Sequence, residues 1–166
     1  MREIADAADL SPANLYHYFR GKDELLFYCQ DRALDRMLAA VGSARRASSG
    51  TPDQLKRVLA AHVTTMLDDV DGAAAHLQVD SLPPALRRRI VRKRDRYERA
   101  VRTMVETGIR NRELAATDAA IVTRAMMGAV NWTATWFRPD GAATPERVGD
   151  TIASFLVRGL TRDGRR

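Results

Sequence analysis

The sequence predicts an all-α protein: a small head of short helices, then a larger helical bundle. Apolar residues recur at the helical spacing of about 3.6, and the period-2 alternation of strands is absent. Helix starts are marked as well. Ser11-Pro12, Thr51-Pro52 and Thr144-Pro145 each set a capping side chain before a proline at the first helical position. The 166 residues suit one ordinary domain, or a small head fused to a body.

These signals place helices at 1–8, 12–18, 22–47, 52–69, 72–80, 84–111, 117–136 and 145–160. Glu3 to Ala8 forms the first, Asp9-Leu10-Ser11 a tight turn, and Pro12 to Tyr18 the second. Ile4, Ala8, Leu10, Leu15 and Phe19 can close a small core between them. The third carries one stripe of Leu25, Cys29, Ala33 and Met37, with Leu26, Leu34, Leu38 and Val41 beside it. Segment 42–51 is a linker or a helix-helix loop. Thr51 with Gln54 fits a capping box for the fourth helix, lined by Leu55, Leu59, His62, Val63 and Met66. A short helix at 72–80 leads to the long sixth, with Leu86, Ile90, Arg94, Tyr97, Val101, Met104 and Val105 on its stripe. In the seventh, Ile121, Val122, Ala125, Met126, Ala129, Val130 and Trp132 nearly encircle the axis, which predicts burial on more than one side. Val148, Ile152, Phe155, Leu156 and Gly159 form the last stripe.

Composition narrows the function classes. No apolar run reaches the length of a membrane span, and MREIADAADL lacks the layout of a signal peptide. The single cysteine, Cys29, excludes an internal disulfide, so a cytoplasmic location is expected. No His, Cys and carboxylate cluster has metal spacing. Nor is there a Gly-rich phosphate loop or a nucleophile-base arrangement, so neither an enzyme nor a cofactor is expected. His62 lies on an apolar face, where a core histidine satisfied by hydrogen bonds is the expectation. The net charge of +6 points toward an anionic partner. Its distribution is uneven. Between Met1 and Glu24 three basic residues face five acidic ones, whereas Pro84 to Arg112 holds eleven basic residues against Asp95, Glu98 and Glu106.

The second helix has small and polar residues outward: Ala13, Asn14, Tyr16 and His17. Such a helix can enter a DNA major groove and reach base edges. Tyr16, Tyr18 and Lys22 can reach phosphates, as can the free N–H groups where the next helix opens at Lys22. The stretch REIADAADLSPANLYHYFRGKDELL, residues 2–26, resembles the helix-turn-helix of the TetR family of bacterial transcriptional repressors. Ile4-Ala5, Ala8, Leu10-Ser11, Leu15-Tyr16, Tyr18-Phe19, Lys22 and Leu25-Leu26 carry the likeness. The resemblance implies a DNA-reading surface of Ser11, Ala13, Asn14, Tyr16, His17, Tyr18 and Lys22. In the family a further helix precedes this point, so the head is expected to be incomplete and the chain truncated at its N-terminus.

The segment GAVNWTATWFRPDG, Gly128 to Gly141, sets Trp132 and Trp136 four apart on one helix side, beside Asn131. On residue chemistry the tryptophans are core or dimer anchors, or pocket walls. With GIRNREL at 108–114, this segment resembles a TetR subgroup that regulates fatty-acid and steroid-ring degradation and senses acyl-CoA thioesters. The resemblance implies an apolar tunnel lined by Leu59, Val63, Met66, Leu67, Leu77, Tyr97, Met104 and Met126. Asn131, Trp132 and Trp136 would stand beside it, and methionines suit variable chains. Arg94 lies on the apolar stripe between Ile90 and Tyr97, where a buried guanidinium wants an anion: a CoA phosphate, or a carboxylate of another helix.

The expectation is a regulator with a head at 1–30 and a ligand-binding, dimerising body at 31–166. It would pair through 117–136 and 145–160, bind a near-palindromic operator, and be released by an acyl-CoA. Two alternatives stand: sensing of a cationic or aromatic drug, favoured by acidic residues inside the pocket, and a ligand-binding dimer with no competent DNA head.

Overall fold

The computed structural model describes residues 11–47, 50–68 and 79–161. Among these it is all-α, without a strand: α1 Pro12–Tyr18, α2 Lys22–Arg46, α3 Thr51–Asp68, a 3-10 turn at Val79–Ser81, α4 Pro84–Arg110, α5 Ala119–Trp136 and α6 Pro145–Arg158. The expected helix at 1–8, with Ile4, Ala8 and Leu10, lies outside the described residues, as do 72–78 of the expected helix at 72–80.

The core is built around α3, which touches α2, α4, α5 and α6. Its sequence explains why. Leu55, Val58, Leu59, His62, Val63, Met66 and Leu67 are all buried, a stripe too wide for a single neighbour. The other flank is made of small groups. Gly149 of α6 sits there so close that a Cβ would lie 2.9 Å from the Ala60 carbonyl oxygen. Gly149 and Ala153 therefore do the packing expected of larger residues, and Phe155 is 70% exposed instead of forming part of the α6 stripe. Against α3 on another side, α2 buries Gln30, Ala33, Leu34, Met37, Val41 and Ala44. The buried stripe is thus turned toward Gln30, leaving Leu25 and Cys29 half-buried. Across from it, α4 buries Ile90, Tyr97, Val101, Met104, Val105 and Gly108, the stripe its spacing predicts.

The start of α3 departs from the expected capping box. Thr51 is the first helical residue, and its N–H donates to the Glu113 carboxylate, which arrives from beyond α4. The N–H of Gln54 goes to the Gly50 carbonyl at 3.1 Å. Segment GIRNREL builds this connection. Gly108 is required because a Cβ would meet Leu114 at 2.7 Å and Thr51 at 2.8 Å. Asn111 ends α4, and Arg112 turns left-handed at φ 62°. The Glu113 N–H reaches back to the Gly108 carbonyl at 2.8 Å and that of Arg112 to Ile109 at 3.0 Å, a Schellman closure. Leu114 then folds into the core, 2% exposed. The Thr51 N–H, the Asn111 amide and the Thr51 hydroxyl hold the Glu113 carboxyl below the ordinary range. Six of the seven residues of the motif thus shape this connection.

Asp118 caps α5, accepting from the N–H groups of Ala120 at 2.9 Å and Ile121 at 3.0 Å. Thr144 caps α6, accepting from Arg147 at 3.3 Å. The expectation that α5 is buried on more than one side is corrected for the single chain. Only Thr123, Met126, Val130 and Thr133 are buried. Ile121, Trp132 and Trp136 stand 65%, 64% and 48% exposed, because no element among the described residues covers that side.

Gly149→Ala is expected to cost about 1–3 kcal/mol, since backbone must give way; thermal melting should show a fall of several degrees. Arg112→Gly is expected to gain about 1 kcal/mol by removing the left-handed strain of an exposed residue, raising the midpoint by about 2–4 °C in a chain of this size.

Candidate functional site

The head surface is built by α1 and the turn after it. Ser11 Oγ accepts the Asn14 N–H at 3.1 Å, the cap its sequence predicts. Ser11, Ala13, Asn14, Tyr16, His17, Tyr18 and Lys22 are all exposed. Tyr16 and Tyr18 are 55% and 73% exposed, with their hydroxyls open to an outside partner. The rings of His17 and Tyr18 meet edge-on at 5.3 Å, and Phe19 turns inward against Tyr28 at 5.2 Å. No side chain caps α2 at Gly21. Glu24, in its first turn, instead accepts the Arg20 N–H at 2.7 Å.

Since α2 runs unbroken from Lys22 to Arg46, it carries the head into the body. The first half of α4 grips it there. Lys93 Nζ lies 2.7 Å from Asp31 and 2.8 Å from Asp35. The Arg89 guanidinium stands 4.5 Å above the Phe27 ring. Arg94 Nη2 donates to Gln30 Oε1 at 3.3 Å, and Gln30 is fully buried.

Beside this grip a cavity of about 410 Å³ opens between α2, α3, α4, α5 and the 3-10 turn. Leu34, Met37, Met66, Val79 and Met127 supply its apolar wall; Arg94, Asp95, Glu98, His62, Tyr97 and Asn131 supply polar groups. That volume and mixture suit a small organic ligand. His62 organises the polar side. Its Nδ1 meets the Tyr97 hydroxyl at 3.1 Å, and its Nε2 meets Met66 Sδ and Asn131 Oδ1, each at 3.1 Å. Two acceptors at Nε2 mark it as the protonated nitrogen, with the Tyr97 hydroxyl donating to Nδ1. Burial pushes the Tyr97 phenol up, so it stays a donor. Arg94 is drawn down by burial, which Asp80 opposes, and keeps its charge. Glu98 is the anomaly. Its Oε1 is shut off from solvent with no hydrogen-bond partner, a state that costs about 1–3 kcal/mol or more.

Of the residues expected to meet a ligand, Met66, Arg94, Tyr97 and Asn131 stand on this wall. Leu59, Val63, Leu67 and Met104 are packed in the core rather than on it. Met126 is 2% exposed and borders a surface groove between α5 and α6. Trp132 and Trp136 lie on the outer side of α5, and Leu77 is outside the described residues. Sequence reasoning missed Gln30, Asp95 and Glu98 and left His62 in the core. Gln30 was findable as a polar residue in step with Leu34, Met37 and Val41. Asp95 and Glu98 sit amid eleven basic residues, where a helical wheel shows only a charged face.

Among the described residues no helix is long and apolar enough to cross a membrane, and no group of side chains could hold a metal ion. An exposed short helix, joined by one long helix to a body with a ligand-sized cavity, is the layout of a regulator with a DNA-reading head and an effector body. The chain belongs to the TetR family. Residues 1–29 match the description "Bacterial regulatory proteins, tetR family", and residues 48–160 match "Tetracyclin repressor-like, C-terminal domain". This is a family of transcription regulators, not of enzymes. The chain is 31% identical to PfmR, a TetR family transcriptional regulator from Thermus thermophilus, with a TM-score of 0.83 over 97% of this chain and 88% of that one. It is 24% identical to the HTH-type transcriptional repressor KstR2 of Rhodococcus jostii (strain RHA1), over 96% of this chain and 80% of that protein. It shares its fold with AibR, solved in complex with isovaleryl coenzyme A and operator DNA: TM-score 0.73, 22% identity, 96% of this chain and 86% of that one.

Tyr97→Phe is expected to leave His62 Nδ1 buried without its donor and to cost about 1–3 kcal/mol. A lowered thermal midpoint with an unchanged far-UV helical spectrum would register it.

Proposed function

We propose that the chain is a ligand-responsive transcriptional repressor, released from its operator by an acyl-CoA thioester and serving lipid or sterol catabolism. The observation that carries the reading is the cavity beside Arg94. It offers apolar room for an acyl chain and a cation for the charged end, next to the helix that bears the head. The AibR complex with isovaleryl coenzyme A, on the same fold, supports the ligand class. The exposed arginines of α4, at 88, 92, 96 and 99, would attract the phosphates left outside a cavity of this size.

In this reading residues 1–30 are the head and 31–166 the body. Ser11, Ala13, Asn14, Tyr16, His17, Tyr18 and Lys22 face DNA. Ile121, Ala125, Gly128, Trp132 and Trp136 recur every three to four residues along the open side of α5. With Phe155 and Leu156 of α6, they form an apolar face for a second copy. Gly128, beside which no atom lies within 4 Å of a built Cβ, allows close approach. Two heads would then meet successive major grooves about 34 Å apart. A ligand competing with Gln30 for Arg94 loosens the grip of α4 on α2, and a coupling of about 1–3 kcal/mol suffices to weaken operator binding. A second reading, a cationic aromatic effector, is favoured by Asp95 and Glu98 on the wall.

A thermal-shift screen with CoA, acyl-CoAs of graded length, a steroid-derived CoA ester and cationic dyes tests the reading. Stabilisation that grows with the right acyl chain and is weak with CoA alone supports it; stabilisation by dyes alone overturns the thioester in favour of the second reading. Tyr16→Phe and Lys22→Ala are expected to weaken operator binding without altering effector affinity. Lys22→Ala should also lower the slope of log affinity against log salt by about one.

A further inference from the structure

Glu98, one of the residues that line the cavity, holds a polar atom whose needs the described residues do not meet. Glu98 Oε1 has no hydrogen-bond partner, and Oε2 reaches only the Arg102 guanidinium at 3.7 Å, beyond hydrogen-bonding range. An ionised carboxylate only accepts, so what is missing at Glu98 is a donor. Its terminal torsion is broad and two-fold, so a turn about Cγ–Cδ exchanges the two oxygens. Among the described residues Arg94 and, from beside the cavity, Arg102 stand against Asp95 and Glu98, so the carboxylates bring no net charge. A group that donates to Glu98 is neutral or cationic. On the α3 and α5 walls the polarity is reversed. His62 holds Asn131 by its Oδ1, so the Asn131 amide N–H groups remain for an acceptor on the ligand.

We propose that Glu98 is the specificity-determining acceptor of this cavity, and that the ligand carries an N–H donor on an apolar body. The donor is an amide N–H on the arm of a thioester or the ammonium of an amine. The inference rests on the reading of the cavity as the effector site. An acyl thioester meets both demands, its carbonyl oxygen accepting from Asn131 and its amide donating to Glu98. A free fatty acid brings no donor and adds a negative charge beside Asp95 and Glu98.

Calorimetry and thermal shift on the full chain test this with four probes sharing one tail: octanoyl-CoA, octanoyl-pantetheine, octylamine and octanoate. Wild type, Glu98→Leu and Glu98→Gln are compared. The expected result is that Glu98→Leu weakens octanoyl-pantetheine or octylamine at least about tenfold, equal to about 1.4 kcal/mol, and does not weaken octanoate. The same variant should melt higher without ligand, because the unpartnered carboxylate is gone. Glu98→Gln, which keeps the size and one acceptor oxygen, should lose less affinity than Glu98→Leu but still more than twofold, and it carries the test if the leucine variant does not fold. Affinities within twofold of wild type in both variants, or octanoate as the tightest probe, overturn the proposal. Octanoyl-CoA binding that survives loss of Glu98 overturns it while sparing the thioester reading. Binding of octylamine alone, dependent on Glu98, sustains it and discards the thioester. Failure of all four to bind wild type overturns both.

Discussion

The fold depends on the crowding around α3. An eighteen-residue helix serves four neighbours, and each needs a different surface of it. Large apolar side chains cover the sides toward α2, α4 and α5, where side chain meets side chain. The side toward α6 is nearly bare, and there backbone approaches backbone at Ala60 and Gly149. Dispersion falls away within an ångström of optimal contact, so these separations leave little room for adjustment.

The polar lining of the cavity follows the same economy. A histidine on the crowded helix needs partners for both nitrogens, and Tyr97, Met66 and Asn131 provide them from three helices. One imidazole thereby fixes the orientation of a phenol and an amide. Glu98 lies outside this network, and its Oε1 is left without a partner.

Much of the fold was legible in the sequence because helical periodicity and proline-marked starts are local signals. The α4 stripe from Ile90 to Val105 and the caps at Ser11 and Thr144 are read directly from residue spacing. Elsewhere the outcome was set by residues distant in the chain. Thr51 reads as a cap until Glu113 takes its N–H from 62 positions away. On α5 one wheel of apolar residues mixes a buried stripe with an open one, and hydrophobicity cannot say which side the chain itself covers. The cavity is harder still: void space is a property of how helices diverge, and no residue type encodes it. Arg94 could be singled out as a charge on an apolar stripe; Glu98, at the border between that stripe and the charged face, could not.

The lock between GIRNREL and the start of α3 has a mechanical consequence. Gly108, Leu114 and the Glu113 carboxylate pin the last turn of α4 to Thr51. The other end of α4 follows a 3-10 turn and is held to α2 through side chains: a cation above a ring and a lysine between two carboxylates. A helix of 27 residues, about 40 Å long, anchored firmly at one end and lightly at the other behaves as a cantilever. A push from the cavity at Arg94 acts about midway along it, so deflection grows toward Pro84, on the side where α2 meets the head.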